Sequence, residues 1–450
     1  VFFIISLVAG LALPVASETK ELNWMGHWKG EYGRQVLLEE VKKEFEFLHP
    51  EVQVNLVYDV DLDAPGDYFK KRVAHTIVEM IRTGEITWDV IFLGVTVYNY
   101  VAEMLGDPDW GRKHLLDYST VPGFQERHKD FILKTPYYRE QTGGIFVGPM
   151  LEGLFTCLWY NDKVARQLNM SIPAEGMTIE QFIGYARQLS SYNATAGEKI
   201  PFLSFSTFYR IESLFEFIFK SHFSDPQMVV ELAYSEEKAK AFLDTLLIFE
   251  DLSRYQPILN EGWRELPVFP WMKDYLEGNQ GLFAVGGTYW YGHFRGNAPN
   301  SYQNGIPVEP PIARYANGLV GQYSNVWAIM KNSPNREAAI DLLQLWSEPK
   351  IAEKWIDYTK NPTGLKGHLV SVSPQHSQRD VYSDFVMRMT AKYDGLPMRN
   401  YRSPMYVFGE DCKVSGLSFR ENLAMILEGK KTARDYFEEV MVLHGRELKR

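Results

Sequence analysis

The chain has 450 residues, of which 45% are hydrophobic and 23% charged, a balance that supports packed cores and excludes a disordered or low-complexity polypeptide. Its net charge of −10, from 47 basic against 57 acidic residues spread along the sequence, argues against nucleic-acid binding, which needs a concentrated basic surface to neutralise phosphates. A neutral or cationic solute suits such a chain better than an anionic membrane surface does.

From Val1 to Ser17 there is no charge. An apolar run to Leu13 leads to Pro14 and to Val15-Ala16-Ser17, which fits the small-residue cleavage rule, and charges begin at Glu18. Residues 1–17 read as a secretory signal peptide that lacks its basic start, and the run is too short and too early broken by proline for a spanning anchor. Neither Cys157 nor Cys412 lies where a lipid could be attached near that site, so the expected location is the periplasm, as a soluble protein. Whether the two cysteines pair is open, because pairing depends on a Cα separation under about 7 Å.

The segment after the leader alternates strand and helix signals. Glu21 to Met25 is a short strand, and Tyr32 to Leu48 a helix with Leu37, Val41, Phe45 and Leu48 along one face. His49-Pro50 stops it. Val52, Val54 and Leu56 alternate with polar residues as a half-buried strand, Asp67 to Arg82 forms a second helix, and Val90 to Leu93 is an apolar run suited to a strand buried on both faces. This β-α-β-α-β order predicts a doubly wound open sheet.

A second set begins after Gly148-Pro149. Phe155 to Tyr160 is a strand, and Thr178 to Gln181 a capping box that opens a helix carrying Phe182, Tyr185 and Leu189. A helix follows Ser235, and Leu282 to Val285 is a strand ending at Gly286-Gly287. Val326 to Met330 is another strand, and Ser333-Pro334 caps a helix burying Ala339, Leu342, Leu343 and Trp346, with proline in the tolerated first position. Helices over about Phe419 to Leu427 and Thr432 to Val442 close the chain. No Gly/Ser/Pro-rich tether separates the halves, so crossing segments must join them.

Several stretches in this order carry a family likeness. They are Glu21 to Trp24 with the helix to Phe45, Pro50 to Val54, and Thr83 to Val90 (with Trp88 where proline is usual). Leu158-Trp159-Tyr160-Asn161-Asp162-Lys163, Met177 to Phe182, Leu276 to Phe283 with Gly287 to Trp290, and Ser333 to Ala339 complete the set. Together they resemble the extracellular solute-binding protein family 1, the maltose-binding-protein-like receptors of ABC sugar importers. The resemblance implies a periplasmic-binding-protein-like type II α/β fold: two doubly wound lobes of discontinuous segments joined by a hinge. Residues 18–150 plus 287–346 would form lobe 1, and 151–286 plus 347–450 lobe 2. Crossings would fall near Met150 to Leu154, near Gly286 to Tyr289 and around Trp346 to Lys354. It also implies a monomeric receptor without catalysis or cofactor, which binds a carbohydrate between the lobes and delivers it to an ABC permease.

Sugars present apolar C–H faces and a rim of hydroxyls, so aromatic platforms beside a few charged groups are the chemistry required. Trp290, after a strand end, is the leading stacking candidate and matches the family's ring-stacking tryptophan. Glu152, a charge in an apolar run, matches a ligand-contacting glutamate of the maltose-type receptors. His27 and Trp28 follow the first strand, and Tyr323 precedes a later one. Thr96 and Tyr98 stand where the maltose-type receptors carry an Asp-Arg pair, which points away from maltodextrin. Tyr209 and Arg402 lie in regions that contribute sugar contacts in the family. Each of these residues has a plain alternative as core or surface, which for Glu152 is a salt-bridged hinge carboxylate.

No zinc-ligand spacing occurs among the histidines, and Tyr137-Tyr138 is read as ordinary packing and not as an iron site. No G-x-S-x-G elbow supports a serine hydrolase. The alternatives are a receptor for a non-sugar solute (iron, a polyamine or a glycerophosphodiester) or a secreted glycoside hydrolase, which needs two suitably spaced carboxylates.

Overall fold

A computed structural model describes residues 19–28, 31–59, 66–127, 144–148, 151–206, 211–225, 234–258, 262–316, 318–324, 326–364, 380–393, 413–443 and 445. The expected leader at 1–17 lies outside them, as do Tyr137, Tyr138, Tyr209, Arg402 and Cys412.

The chain starts with β1 (Lys20–Trp28), α1 (Tyr32–Leu48), β2 (Val52–Asp59), α2 (Gly66–Thr83), β3 (Val90–Phe92) and α3 (Val95–Leu105). Short helices α4 (Trp110–His114) and α5 (Phe124–Arg127) follow. Then come β4 (Glu152–Asn161), α6 (Asp162–Gln167), α7 (Ile179–Asn193), α8 (Ile211–Lys220), α9 (Glu236–Ser253), α10 (Val268–Glu277) and β5 (Phe283–Gly287). The rest is α11 (Trp290–Asn297), β6 (Gly305–Val308), β7 (Val320–Ser324), β8 (Trp327–Ile329), α12 (Arg336–Trp346), α13 (Pro349–Thr359), α14 (Val381–Lys392), α15 (Phe419–Leu427) and α16 (Ala433–Leu443).

The first sheet has the order β2-β1-β3-β8. β1 is parallel to both β2 and β3, and β8 runs antiparallel with Ile91 opposite Ala328. β2 lies at the edge, so Val52 and Val54 turn inward while Gln53 and Asn55 stay exposed, the period-2 alternation of a half-covered strand. β3 is central and every residue of it is buried, as its unbroken apolar run requires. Helix α1 has the bounds its apolar spacing predicts and buries Leu37, Val41 and Phe45, but Leu48 is left exposed at its last turn. Asp89 ties the sheet together, accepting from Asn23 N–H at 2.8 Å and from the Ser333 hydroxyl at 2.5 Å. The Ser333 hydroxyl also accepts from Asn335 N–H at 3.0 Å, a turn ahead of the helix in place of the expected cap. α12 starts at Arg336 with Asn335 in the cap position, two residues beyond the expected proline start.

The second sheet is built on β4, with β5 along one edge and β6 and β7 sharing the other, all antiparallel. The capping box at Thr178 and Gln181 forms as expected and opens α7. α7, α8, α9, α15 and α16 cover one side of this sheet through Phe182, Phe215, Phe242, Phe419 and Tyr436. On the other side Trp159, Trp271, Tyr275, Trp290, Phe294 and Phe385 form a further aromatic cluster.

The crossings differ in part from expectation. Leu151 closes the first core and Glu152 opens β4, inside the expected first crossing. Gly286 to Tyr289 is no crossing. The apolar face of α11 packs against Trp159, and β6 and β7 pair with β4, so the chain returns to the first sheet only between Ser324 and Trp327. The last crossing also falls later than Trp346 to Lys354. Ile351, Ala352, Trp355 and Ile356 of α13 are buried in the first core, and the return runs through Lys360 to Thr363. The crossings lie side by side: Glu152 pairs with Ser324 in β7 and bridges to Thr363.

Candidate functional site

The carboxyl ends of β1 and β3 and the start of β8 meet the start of β4 and the end of β5 at these crossings. In open α/β sheets this strand-end edge is where ligands collect. His27, near the end of β1, is buried with its ring 5.0 Å from that of Phe92 at the end of β3. Its Nδ1 lies 3.9 Å from Glu31, the residue before α1.

One turn into α1, Arg34 extends between two carboxylates. Its Nε lies 2.8 Å from Glu31 and its Nη2 2.7 Å from Glu152. The guanidinium carbon sits 5.1 Å from the centre of the Trp355 ring of α13, a cation–π arrangement. Buried Nη1 has no hydrogen-bond partner. Unmet donors of this kind are costly in a protein interior, so this one marks where an acceptor from a ligand or a water would fit.

Glu152 is 2% exposed. Burial pushes its carboxyl up to about 7, with Glu31 adding to the rise, while Arg34 and the Trp327 indole N–H oppose it. Near neutral pH it therefore exists in both forms, one an acceptor only and the other a donor as well. His293 of α11 is buried on the other side, and burial lowers its pKa; Glu31 opposes and Arg34 reinforces that shift. The crossings are fixed by a separate neutral set. The Thr288 hydroxyl donates to Asn361 Oδ1 at 2.6 Å, and Phe155 N–H donates to the Thr288 hydroxyl at 3.2 Å. The Thr363 hydroxyl donates to Leu151 C=O at 2.6 Å.

Of the residues singled out from sequence, His27 and Glu152 come together here. Trp28 ends β1 at the same edge, and Tyr323 lies in β7 one residue before Ser324, the partner of Glu152. Thr96 is half-buried in the first turn of α3. Tyr98 is buried away from the junction, its hydroxyl donating to Pro108 C=O at 3.0 Å and its ring 4.9 Å from Trp110. Trp290 is 2% exposed and enclosed by Trp159, Trp271 and Phe294. Its neighbour Tyr289 is the half-buried aromatic at this strand end, with its ring 5.7 Å from that of His293. Tyr209 and Arg402 fall outside the described residues.

Arg34, Tyr289 and His293 were not singled out from sequence. The i, i+3 spacing of Glu31, just before α1, and Arg34 in its first turn was the available signal for the arginine. Among the described residues no group of three or more His, Cys, Asp or Glu side chains is arranged to hold a metal ion, and no helix is long and apolar enough to cross a membrane. The junction is instead a fixed set of donors and acceptors beside aromatic rings. Hydroxyl groups, which both donate and accept, complement it.

No family model matches the chain, and no curated protein matches it by sequence. Solved structures do match. The apo form of RafE from Streptococcus pneumoniae is similar with a TM-score of 0.62 at 14% identity, covering 95% of this chain and 98% of that one. The GacH receptor of Streptomyces glaucescens, solved unliganded and with acarbose, gives 0.64 at 12% identity, covering 95% and 97%. A chitin oligosaccharide binding protein gives 0.59 at 13% identity, covering 95% and 98%. The chain has the fold of these proteins: the type II periplasmic-binding-protein architecture, with mixed α/β bodies built on two sheets, as expected from the order of its segments.

Proposed function

We propose that this chain is an exported substrate-binding protein of an ABC importer, which takes a carbohydrate between its lobes and delivers it to a membrane permease. The observation that carries this reading is the buried Arg34 with its open Nη1, held between Glu31 and Glu152 where the two sheets meet. In this fold, solved neighbours hold raffinose, acarbose and maltose. Binding without catalysis is the corresponding activity, by a monomer.

The moving bodies in this reading are those around the first and second sheets, with the hinge at Leu151–Glu152, Ser324–Trp327 and Lys360–Thr363. Ligand bound between them shifts an open–closed equilibrium by its greater affinity for the closed form. His27, Glu31, Arg34, Glu152 and Tyr289 form the proposed binding set, with Trp28, Thr96 and Tyr323 at its margin. The Thr96 position favours a sugar other than maltodextrin.

Calorimetry of the purified protein against raffinose, maltose, acarbose and xylo- and chito-oligosaccharides tests the assignment. Saturable binding of at least one saccharide, weakened by Arg34→Ala, is expected. Binding of an iron chelate, a polyamine or a glycerophosphodiester with no response to any saccharide would overturn the carbohydrate class, and release of reducing sugar would overturn the absence of catalysis.

A further inference from the structure

A recess of about 270 Å³ opens on the second-sheet body between α11, the turn at Tyr302–Asn304 and the start of α14. Its walls are Tyr291, Tyr302 and Tyr382, with Gln303, Asp380 and Val381 at the rim. The three rings form one aromatic corner. Tyr291 and Tyr382 are 4.7 Å apart between centroids, and Tyr302 lies 5.9 Å from the first and 6.4 Å from the second.

The corner is held rigid. The Tyr382 hydroxyl donates to Tyr302 C=O at 2.9 Å, and Asp380 caps α14 by accepting from Ser383 N–H at 2.8 Å. Lys360 Nζ lies 2.9 Å from Asp380 Oδ2 and donates to the Ser383 hydroxyl at 2.9 Å.

We propose that this recess is a second ligand site, separate from the lobe junction, which takes a single neutral saccharide ring. The half-buried Tyr302 ring, backed by Tyr291 and Tyr382 at 6% and 5% exposure, suits the C–H face of a pyranose. Gln303 at the rim is exposed, and the Asp380 side chain remains 43% exposed, so an amide and a carboxylate are accessible to ring hydroxyls. Lys360 pairs with Asp380 and its ammonium lies 5.9 Å from the centre of the Tyr291 ring, so the cation position over that ring is already filled from within the chain. The volume lies just below the roughly 300–1,000 Å³ typical of sites for larger ligands, so one ring fills it.

The site is distinct from the junction. Tyr291 lines the recess, whereas His293, about 200° further round the same helix, has its ring 5.7 Å from that of Tyr289 at the junction. It is also connected to the crossings. Lys360 ends α13 in the left-handed backbone region at φ 55° and carries its side chain to the recess carboxylate.

Ligand-observed NMR with D-glucose, D-galactose and D-xylose tests the proposal on wild type, Arg34→Ala, Tyr302→Ser and Gln303→Ala. At least one sugar is expected to bind wild type, and Arg34→Ala to lose only the part of that binding that belongs to the junction. Tyr302→Ser should weaken the remaining part by about two- to tenfold, the equivalent of one lost ring contact. Gln303→Ala, an exposed change that spares the fold, should weaken it in the same direction. No binding of the three sugars to wild type, or binding unchanged in both recess variants, overturns the second site. A failure of the junction reading is distinguishable, because it shows as oligosaccharide binding insensitive to Arg34→Ala.

Discussion

Arg34 of α1 and Glu152 of β4 meet at 2.7 Å where the two sheets come together, the arginine on a helix that packs into the first core through Leu37 and Val41 and the glutamate at the first residue of β4. Removing Arg34 leaves a buried carboxylate with Glu31 beside it. Arg34→Met should therefore cost about 2–4 kcal/mol of stability. Arg34→Met/Glu152→Gln should cost less than the sum of the single changes, because the stranded charge is gone. Urea unfolding of the four proteins measures the cycle, and strict additivity would show that the pair is not coupled.

The pH dependence has a definite sign. The Glu152 carboxyl is raised from its ordinary 4.5 to about 7, chiefly by burial. Between those values the folded chain binds more protons at this group than the unfolded chain does. Its stabilising contribution is thus complete below 4.5 and is lost as pH rises through about 7. Glu152→Gln should gain on wild type by about 1–3 kcal/mol between roughly pH 5 and pH 8. Burial lowers His293, which has the opposite sign: its stabilising effect is lost as pH falls below the ordinary histidine range. His293→Gln should flatten the acid side of the profile. Unfolding curves across this range check both, and a Glu152→Gln profile parallel to wild type contradicts the first.

Two adjacent aromatics should separate fold from binding. Trp290 fills the cluster with Trp159 and Trp271, so Trp290→Ala should lose about 3–5 kcal/mol. A methyl group at Gly286 would come within 2.2 Å of the Trp290 ring, so Gly286→Ala should destabilise through the same contact. Tyr289→Ala should leave stability within about 1 kcal/mol and weaken saccharide binding by roughly tenfold. Thermal melts beside calorimetry distinguish them. Weakened binding by a stable Trp290→Ala variant would return that tryptophan to the site.

Tyr98 tests the boundary of the site from the other side. Tyr98→Phe removes its hydrogen bond to Pro108 C=O and should cost about 1 kcal/mol with unchanged ligand affinity. A large change in affinity would extend the binding surface along α3 from Thr96 to Tyr98.

Local pattern made much of the fold legible in the sequence. Leu37, Val41 and Phe45 set the bounds and inward face of α1, and Thr178 with Gln181 marked the start of α7, because both signals lie within one or two turns. The home of α11 was not legible. Which sheet it joins depends on Trp159 and Tyr275, far away in sequence, and the family resemblance placed it on the wrong side of a crossing. The choice between Tyr289 and Trp290 was hidden for a related reason: consecutive side chains at a helix start point in different directions, and only the packed cluster shows which one turns inward. Arg34 was missed because its meaning comes from Glu152, which tertiary structure alone brings near. Glu152 itself was visible as a charge in an apolar run, and His27 as a polar residue at a strand end.

A crystal structure of the protein grown with a saccharide that binds in calorimetry tests the central claim most directly. The sugar is expected between the two sheets, with a hydroxyl accepting from Arg34 Nη1 and Tyr289 against a ring face. A saccharide bound elsewhere, with the Arg34–Glu152 pair unchanged and Nη1 facing only water, would contradict it.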